Sequence, residues 1–211
     1  MEGASARHLP GGWQGAYCQP AMAWSAESSD EELMLHYRDG DAAAFDVLYS
    51  RHKGGMYRYL LRQCRDAAVA EELFQDVWTN LIRARAGYTV QSRFATYLYR
   101  LAHNRWIDHY RRNRPGAVVS LDEDEGEAPI DPPDERSVPQ DEALDSRRQA
   151  ARLLELIAEL PAEQREAFLL QQEGGMSVEE IAQATGVTRE TAKSRLRYVM
   201  SKLRRGMLEW R

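Results

Sequence analysis

SVEEIAQATGVTRETAKSRLRYVMSKLRR, residues 177–205, decides how the chain is read. Ser177 and Glu180 stand in capping-box spacing at the start of a short helix. Ile181 and Ala182 give that helix a narrow apolar stripe. Gly186 supplies the left-handed residue that a sharp helix-to-helix corner needs, and Val187 is the corner's apolar residue. Thr188 caps a second helix in which Ala192, Leu196, Val199 and Leu203 recur at helical spacing. Arg189, Lys193, Ser194, Arg195, Arg197 and Tyr198 lie on its other side, and Thr191 joins Thr188 near its start. Residues 188–205 carry seven Lys/Arg against one acid, Glu190. A helical hairpin with a solvated basic face would show some of these features. Together they read as a helix-turn-helix whose second helix enters the major groove of duplex DNA.

The 211 residues allow one large or two small domains, and 43% hydrophobic content suits a folded chain. No stretch approaches the roughly 20 apolar residues of a membrane span, so no membrane insertion is expected. No secretory signal is expected either. Cys18 and Cys64 match no metal spacing, which points to a reducing cytoplasm. The net charge of −5 conceals a strong partition. Residues 1–29 sum to −1, 30–114 to +3, 115–145 to −10 and 146–211 to +3. One acidic segment separates two mildly basic ones, and local clusters set the field near a phosphate backbone.

Residues 1–29 show no period and read as a disordered extension. Three helices follow. In the first long one Phe45, Leu48, Tyr49, His52, Met56, Tyr57 and Leu60 form the buried face, with His52 a satisfied core or boundary histidine. The next has the stripe Val69, Leu73, Val77 and Leu81. Its other side carries Glu71, Glu72, Gln75 and Asp76 beside Trp78, which suits a basic protein partner or else a solvated face over a buried Trp78. Residues 92–113 interleave Tyr97, Tyr99, Trp106 and Tyr110 with Arg93, Arg100, Arg105, Arg111 and Arg112, and add His103 and Asn104. Aromatics can stack on unpaired bases, arginines can hold phosphates and asparagine can read a base edge. The alternative places about half of those aromatics in the core. Residues 115–145 hold eleven acids and read as a flexible acidic linker. From 146 onward Leu153, Leu154, Leu156, Ile157 and Leu160 restore a helical face, Pro161 opens a helix and Gly174-Gly175 ends it. The fold class expected is all-α: two small helical domains joined by that linker.

With these stretches in place the chain resembles the extracytoplasmic-function (group IV) sigma factors of the sigma-70 family. AAVAEELFQDVWTNLIR (67–83) is similar to the family's clamp-binding helix. RFATYLYRLAHNRWIDHYRR (93–112) is similar to its F-x-T-W-L-Y-x-I-A-x-N stretch. LPAEQREAFLL (160–170) and the helix-turn-helix are similar to its region 4. The resemblance implies sigma region 2 over 30–114 and sigma region 4 over 146–211. It implies that Glu71, Glu72, Leu73, Gln75, Asp76 and Trp78 grip the clamp of the largest subunit of core RNA polymerase. It implies that Tyr97, Tyr99, Arg100, His103, Asn104, Arg105, Arg111 and Arg112 melt and read the −10 element. Thr188, Arg189, Thr191, Lys193, Ser194, Arg195, Arg197 and Tyr198 would read the −35 element as duplex. Tyr97 stands where tryptophan is usual, and Tyr198 where arginine is frequent.

The function implied is an alternative sigma factor in the bacterial cytoplasm, directing polymerase to a promoter set. An anti-sigma factor would hold it inactive, in some members near the membrane. The alternative is a conventional helix-turn-helix regulator that binds an operator without polymerase. No nucleophile–base pair, phosphate-binding loop or metal cluster stands out, so no catalytic residue, cofactor or metal is assigned and no enzyme activity is expected. The only acidic groups that could be weighed for a metal, Glu71/Glu72 and Asp122/Glu123/Asp124, fall on a helix face and in the linker.

Overall fold

In this computed structural model the described residues are Trp24, 27–113 and 140–210, with side chains from 145 in the last stretch. The first bundle starts at Ser29. Its hydroxyl accepts from the Glu32 amide, and the Glu32 carboxylate accepts from the Ser29 amide, both at 3.2 Å. This box opens α1 (Asp30–Arg38), with three acids in the first turn. Asp41 caps α2 (Ala42–Cys64), and Asp66 caps α3 (Ala67–Ala84) through the amides of Ala68 and Val69. A 3-10 turn, Arg85–Gly87, leads to α4 (Phe94–Asn113). The Phe94 amide donates to the Glu31 carboxylate at 2.6 Å, so α1 supplies the acid at the positive end of α4.

Leu33, Leu48, Leu60, Leu73, Leu81, Phe94 and Leu98 meet in the bundle's core, each at most 1% exposed. His52 sits at its margin, 2.6 Å from Asp30, as the satisfied boundary histidine expected. The disordered extension expected through residue 29 lies mostly outside the described residues. Its end does not behave so. Trp24 packs on His36 at 4.6 Å between ring centroids, and Ser29 is a helix cap.

The second bundle has four helices: α5 (Gln140–Ala158), α6 (Ala162–Gly174), α7 (Val178–Thr185) and α8 (Arg189–Glu209). Helix α5 begins inside the segment read as linker to residue 145, so that boundary moves back to 140. The rest of the expected linker lies outside the described residues. Leu156, Leu160, Leu169, Ile181, Leu196 and Val199 build this core. Gly206 lets α5 cross α8: a Cβ there would come within 2.5 Å of Leu156 Cδ2. No strand occurs among the described residues. The bundles are packed together, α6 against α2 and α7 against α4.

Candidate nucleic-acid and polymerase interfaces

The helix-turn-helix is built as its residues dictate. The Ser177–Glu180 capping box starts α7, with hydrogen bonds of 3.3 and 2.9 Å. Gly186 takes φ +70 and returns its amide to the Ala182 carbonyl. Thr188 caps α8 by accepting from the Thr191 amide at 3.1 Å, and the two hydroxyls lie 2.8 Å apart. Ala192, Leu196, Val199 and Leu203 are buried. Lys193, Ser194, Arg197 and Tyr198 are exposed, and neither Lys193 nor Arg197 has an ion-pair partner among the described residues.

Two cations expected on this face are committed elsewhere. Arg195 is mostly buried and pairs with Glu163 of α6. Its neighbours lower its affinity for a proton through burial. Arg189 pairs with Glu179 and, at 3.5 Å, with Glu190. Arg195 is thus a strut between α8 and α6. Thr188 and Thr191 spend their hydroxyls on the cap. Among the residues expected here, the exposed side chains left without an ion pair or a cap among the described residues are Lys193, Arg197 and Tyr198, with Ser194 exposed beside them and its hydroxyl donating to the Thr191 carbonyl at 3.0 Å.

Helix α3 separates its residues in the same way. Glu71, Glu72 and Gln75 are exposed and Asp76 is half-buried. Leu73 and Trp78 belong to the core, not to the acidic surface. Trp78 sits edge-on to Phe45 and Tyr49 at 5.8 and 4.9 Å. The cause is the width of the apolar stripe: Phe74 and Trp78 extend the row of Leu73, Val77 and Leu81 by one position. Half-buried Phe74 is the aromatic that borders the acidic surface.

Helix α4 divides its candidates between two faces. Asn104, Arg111 and Arg112 are exposed, while Tyr97, Arg100 and Arg105 are half-buried at the surface. Tyr97 stacks edge-on against Tyr88 at 5.4 Å. Arg105 lies 4.0 Å from Asp108. Tyr99 is 1% exposed and therefore offers no stacking surface here. It packs edge-on to Tyr59 and donates to the Glu173 carbonyl at 2.8 Å. Burial, with the charge of Glu173, pushes its hydroxyl pKa up. His103 is turned to Glu166, Nδ1 to Oε1 at 2.6 Å. Trp106 is buried too.

The partners of Tyr99 and His103 come from the second bundle, and residue patterns in either bundle alone did not reveal them. Glu173 accepts from Arg58 Nε at 3.0 Å and from Arg62 Nη1 at 2.5 Å. Glu166, 3% exposed, accepts from Tyr59 at 2.9 Å as well as facing His103. Glu180 accepts from the Thr96 hydroxyl at 2.8 Å and has Arg93 at 3.5 Å. Arg165 is buried between the bundles, donating to the carbonyls of Ala158, Leu160 and Gln63. Burial, then the neighbouring Arg65, brings its pKa down to about 10. The one signal in the sequence is that Glu166, Glu173 and Glu180 recur at seven-residue intervals.

The described residues hold no group of His, Cys, Asp and Glu that could bind a metal ion, and no helix among them is long and apolar enough to cross a membrane. The Cys64 thiol donates to the Leu60 carbonyl, and burial pushes its pKa up to about 11.

An all-α pair of bundles, the second ending in a helix-turn-helix with an open basic face, defines a helix-turn-helix class of protein. Family models for sigma-70 region 2 and sigma-70 region 4 match residues 48–115 and 150–203. The RNA polymerase sigma factor CarQ of Myxococcus xanthus is 32% identical over 171 residues, spanning 81% of this chain and 93% of that one. The chain belongs to the extracytoplasmic-function sigma factors of the sigma-70 family. SigM of Mycobacterium tuberculosis, an extracytoplasmic-function RNA polymerase sigma factor, is 27% identical over 191 residues, 90% of each chain. In fold the chain is similar to CnrH, solved with the cytosolic domain of CnrY, at TM-score 0.58 and 20% identity over 83% of this chain and 95% of that one. It is also similar to RpoE of Bartonella quintana, solved with the anti-sigma factor NepR, at TM-score 0.60 and 19% identity over 78% and 96%.

Proposed function

We propose that this chain binds core RNA polymerase and carries it to a set of promoters as an alternative sigma factor. The exposed Glu71, Glu72 and Gln75 of α3, with half-buried Asp76 beside them, meet the clamp of the largest subunit. Lys193, Ser194, Arg197 and Tyr198 on α8 read the −35 duplex, with phosphate contacts fixing register. Tyr97, Arg100, Asn104, Arg105, Arg111 and Arg112 on α4 engage the melted −10 strand, with Tyr99 and His103 joining them when region 4 is displaced. Stacking and phosphate contacts offset the few kcal/mol that extruding a base costs.

The observation that carries the reading is the capped helix α8 with Lys193 and Arg197 exposed and without an ion pair among the described residues, in one chain with the acidic face of α3. The family's members are not enzymes, and the chain's own residues do no chemistry in this scheme. An anti-sigma factor controls it, as the complexes of CnrH with CnrY and of RpoE with NepR suggest by analogy. Its place of action is the bacterial cytoplasm.

Transcription in vitro tests this. Core polymerase with and without the protein is given a pool of genomic promoter fragments. Initiation that depends on the protein, at fragments sharing a −35/−10 pattern, is the expected result. No initiation, together with tight operator binding in the absence of polymerase, would replace the reading by a conventional regulator.

A further inference from the structure

Helix α8 runs on past the residues proposed for duplex DNA. Lys193, Arg197, Met200, Arg204, Met207 and Leu208 recur at i, i+4, i+7, i+11, i+14 and i+15, which is one helical face. Its second half is mixed in character. Met200 is 46% and Leu208 65% exposed, and exposed Arg204 stands between them with no ion pair among the described residues. At the helix end Trp210, 41% exposed, and Gln149 of α5 turn this face into a cleft of about 260 Å³, lined by Gln149, Arg204, Met207, Leu208 and Trp210. Adjoining exposed apolar side chains rimmed by polar ones mark a contact surface. A cation beside an apolar floor fits an acidic peptide with an apolar anchor.

The chain carries such a peptide. Residues 127–135, EAPIDPPDE, hold Glu127, Asp131, Asp134 and Glu135, no Lys or Arg, and one large apolar residue, Ile130. Pro129, Pro132 and Pro133 reduce the backbone freedom that docking must remove. The stretch belongs to residues 114–139, which connect α4 to α5 and lie outside the described residues. Its reach is sufficient. Gln149 stands nine residues beyond Gln140, the start of α5, about 14 Å along the helix. The five steps from Glu135 to Gln140 span up to about 17 Å when extended. Residues 114–129 then remain for the return to α4, up to about 53 Å of chain.

We propose that the cleft between the end of α8 and α5 is the docking site of this chain's own residues 127–135, with Ile130 on Met207, Leu208 and Trp210 and the flanking acids on Arg204. Removing the apolar side chains from water drives the contact, and the charges set its register. The two parts belong to one chain and are joined by a short connection. Their effective concentration is therefore high, and a small interface suffices.

The test uses the full chain with the photo-reactive residue p-benzoylphenylalanine in place of exposed Leu208. Equal amounts of ¹⁴N- and ¹⁵N-labelled protein are mixed and irradiated, and the cross-linked peptides are mapped by mass spectrometry. Circular dichroism confirms that helix content is kept in every variant. The expected product joins position 208 to residues 127–135 of the same chain. D131N/D134N/E135Q and R204E should each lower its yield roughly fivefold, as the loss of a few surface charge pairs does. Ile130→Ser should lower it as well, and D131R/D134R should restore it in the R204E chain. D122N/E123Q/D124N removes as many charges from the same connection outside the docking stretch and should leave the yield unchanged. Products that map elsewhere in the chain, or no product at all, overturn the proposal. Products joining labelled to unlabelled chains overturn it in favour of a second copy as the occupant. Equal losses in D131N/D134N/E135Q and D122N/E123Q/D124N reduce the contact to general charge attraction and overturn the assignment of residues 127–135. A yield unmoved by R204E and by Ile130→Ser overturns the cleft as the site.

Discussion

His103 carries a hydrogen bond whose strength depends on pH. Burial works against its charged form, the Glu166 hydrogen bond and charge favour that form, and Arg111 opposes it weakly. The balance raises the pKa above the ordinary 6.5. The groups facing the ring and its carboxylate are Glu166 of α6, Tyr59 of α2 and Arg111 of α4. A raised pKa means the folded state holds the proton more tightly than the unfolded state. The stabilisation is therefore complete below about pH 6.5 and is lost as pH rises through the folded value. The melting temperature should fall across that window in the native chain. In His103→Gln the same scan should be flatter, and an unchanged slope would remove His103 as the titrating group. Arg195 is a second residue whose role the structure redirects. Its spacing on α8 suits a base reader, but Glu163 sits one helix away and takes it. Arg195→Ala should cost about 0.5–1 kcal/mol of folding stability, measured by denaturant titration. Arg197→Ala should spare stability and cost about 1–3 kcal/mol of promoter discrimination if the guanidinium bridges a base edge.

Helix α3 shows what a sequence period can and cannot settle. Its inward stripe is legible from Leu73, Val77 and Leu81, and its outward acids from Glu71 and Glu72. The stripe's width is not legible, because Trp78 one place further round can face core or partner with equal regularity. Phe45 and Tyr49, from α2, settle the choice by offering ring edges at contact distance. Trp78→Ala should therefore lower folding stability by about 3–5 kcal/mol, as a buried aromatic truncation does. Asp76→Lys should leave the melting temperature nearly unchanged and weaken core polymerase binding in a pull-down titration. If the two variants exchanged effects, the helix would be rotated from the orientation described. The helix-turn-helix was readable almost completely because every device in it is local: cap, capping box, left-handed glycine and apolar recurrence fall within 29 residues. The start of α5 is not legible in the sequence, because Gln140, Asp141 and Glu142 share the composition of the acidic segment before them.

At the scale of the molecule, the contact between bundles was invisible in the sequence for a physical reason. Glu166 and Glu173 look like solvated charges, and Glu180 like a capping residue alone, until the groups of the other bundle that bind them, some 63–115 residues away, are brought alongside. Buried charge across the boundary makes the bundles depend on one another. Removing one member of a fully buried ion pair costs about 3–5 kcal/mol. The Arg58 side chain is 50% exposed, which screens its share, while Glu173 is only 8% exposed. Glu173→Ala should accordingly weaken the coupling by about 1–3 kcal/mol, beneath the fully buried range. Two bundles held by such a contact should melt as one unit in a calorimeter, with the calorimetric enthalpy equal to the van't Hoff value. Glu173→Ala should split that transition into two, each bundle keeping its own core. Arg165 offers the converse arrangement, a region 4 cation on a region 2 carbonyl, Gln63. It also holds the carbonyls of Ala158 and Leu160 at the turn before α6, so Arg165→Ala should both split the transition and lower the region 4 step. Two separate transitions in the native chain, unmoved by either substitution, would mean that the bundles fold without help from the contact between them.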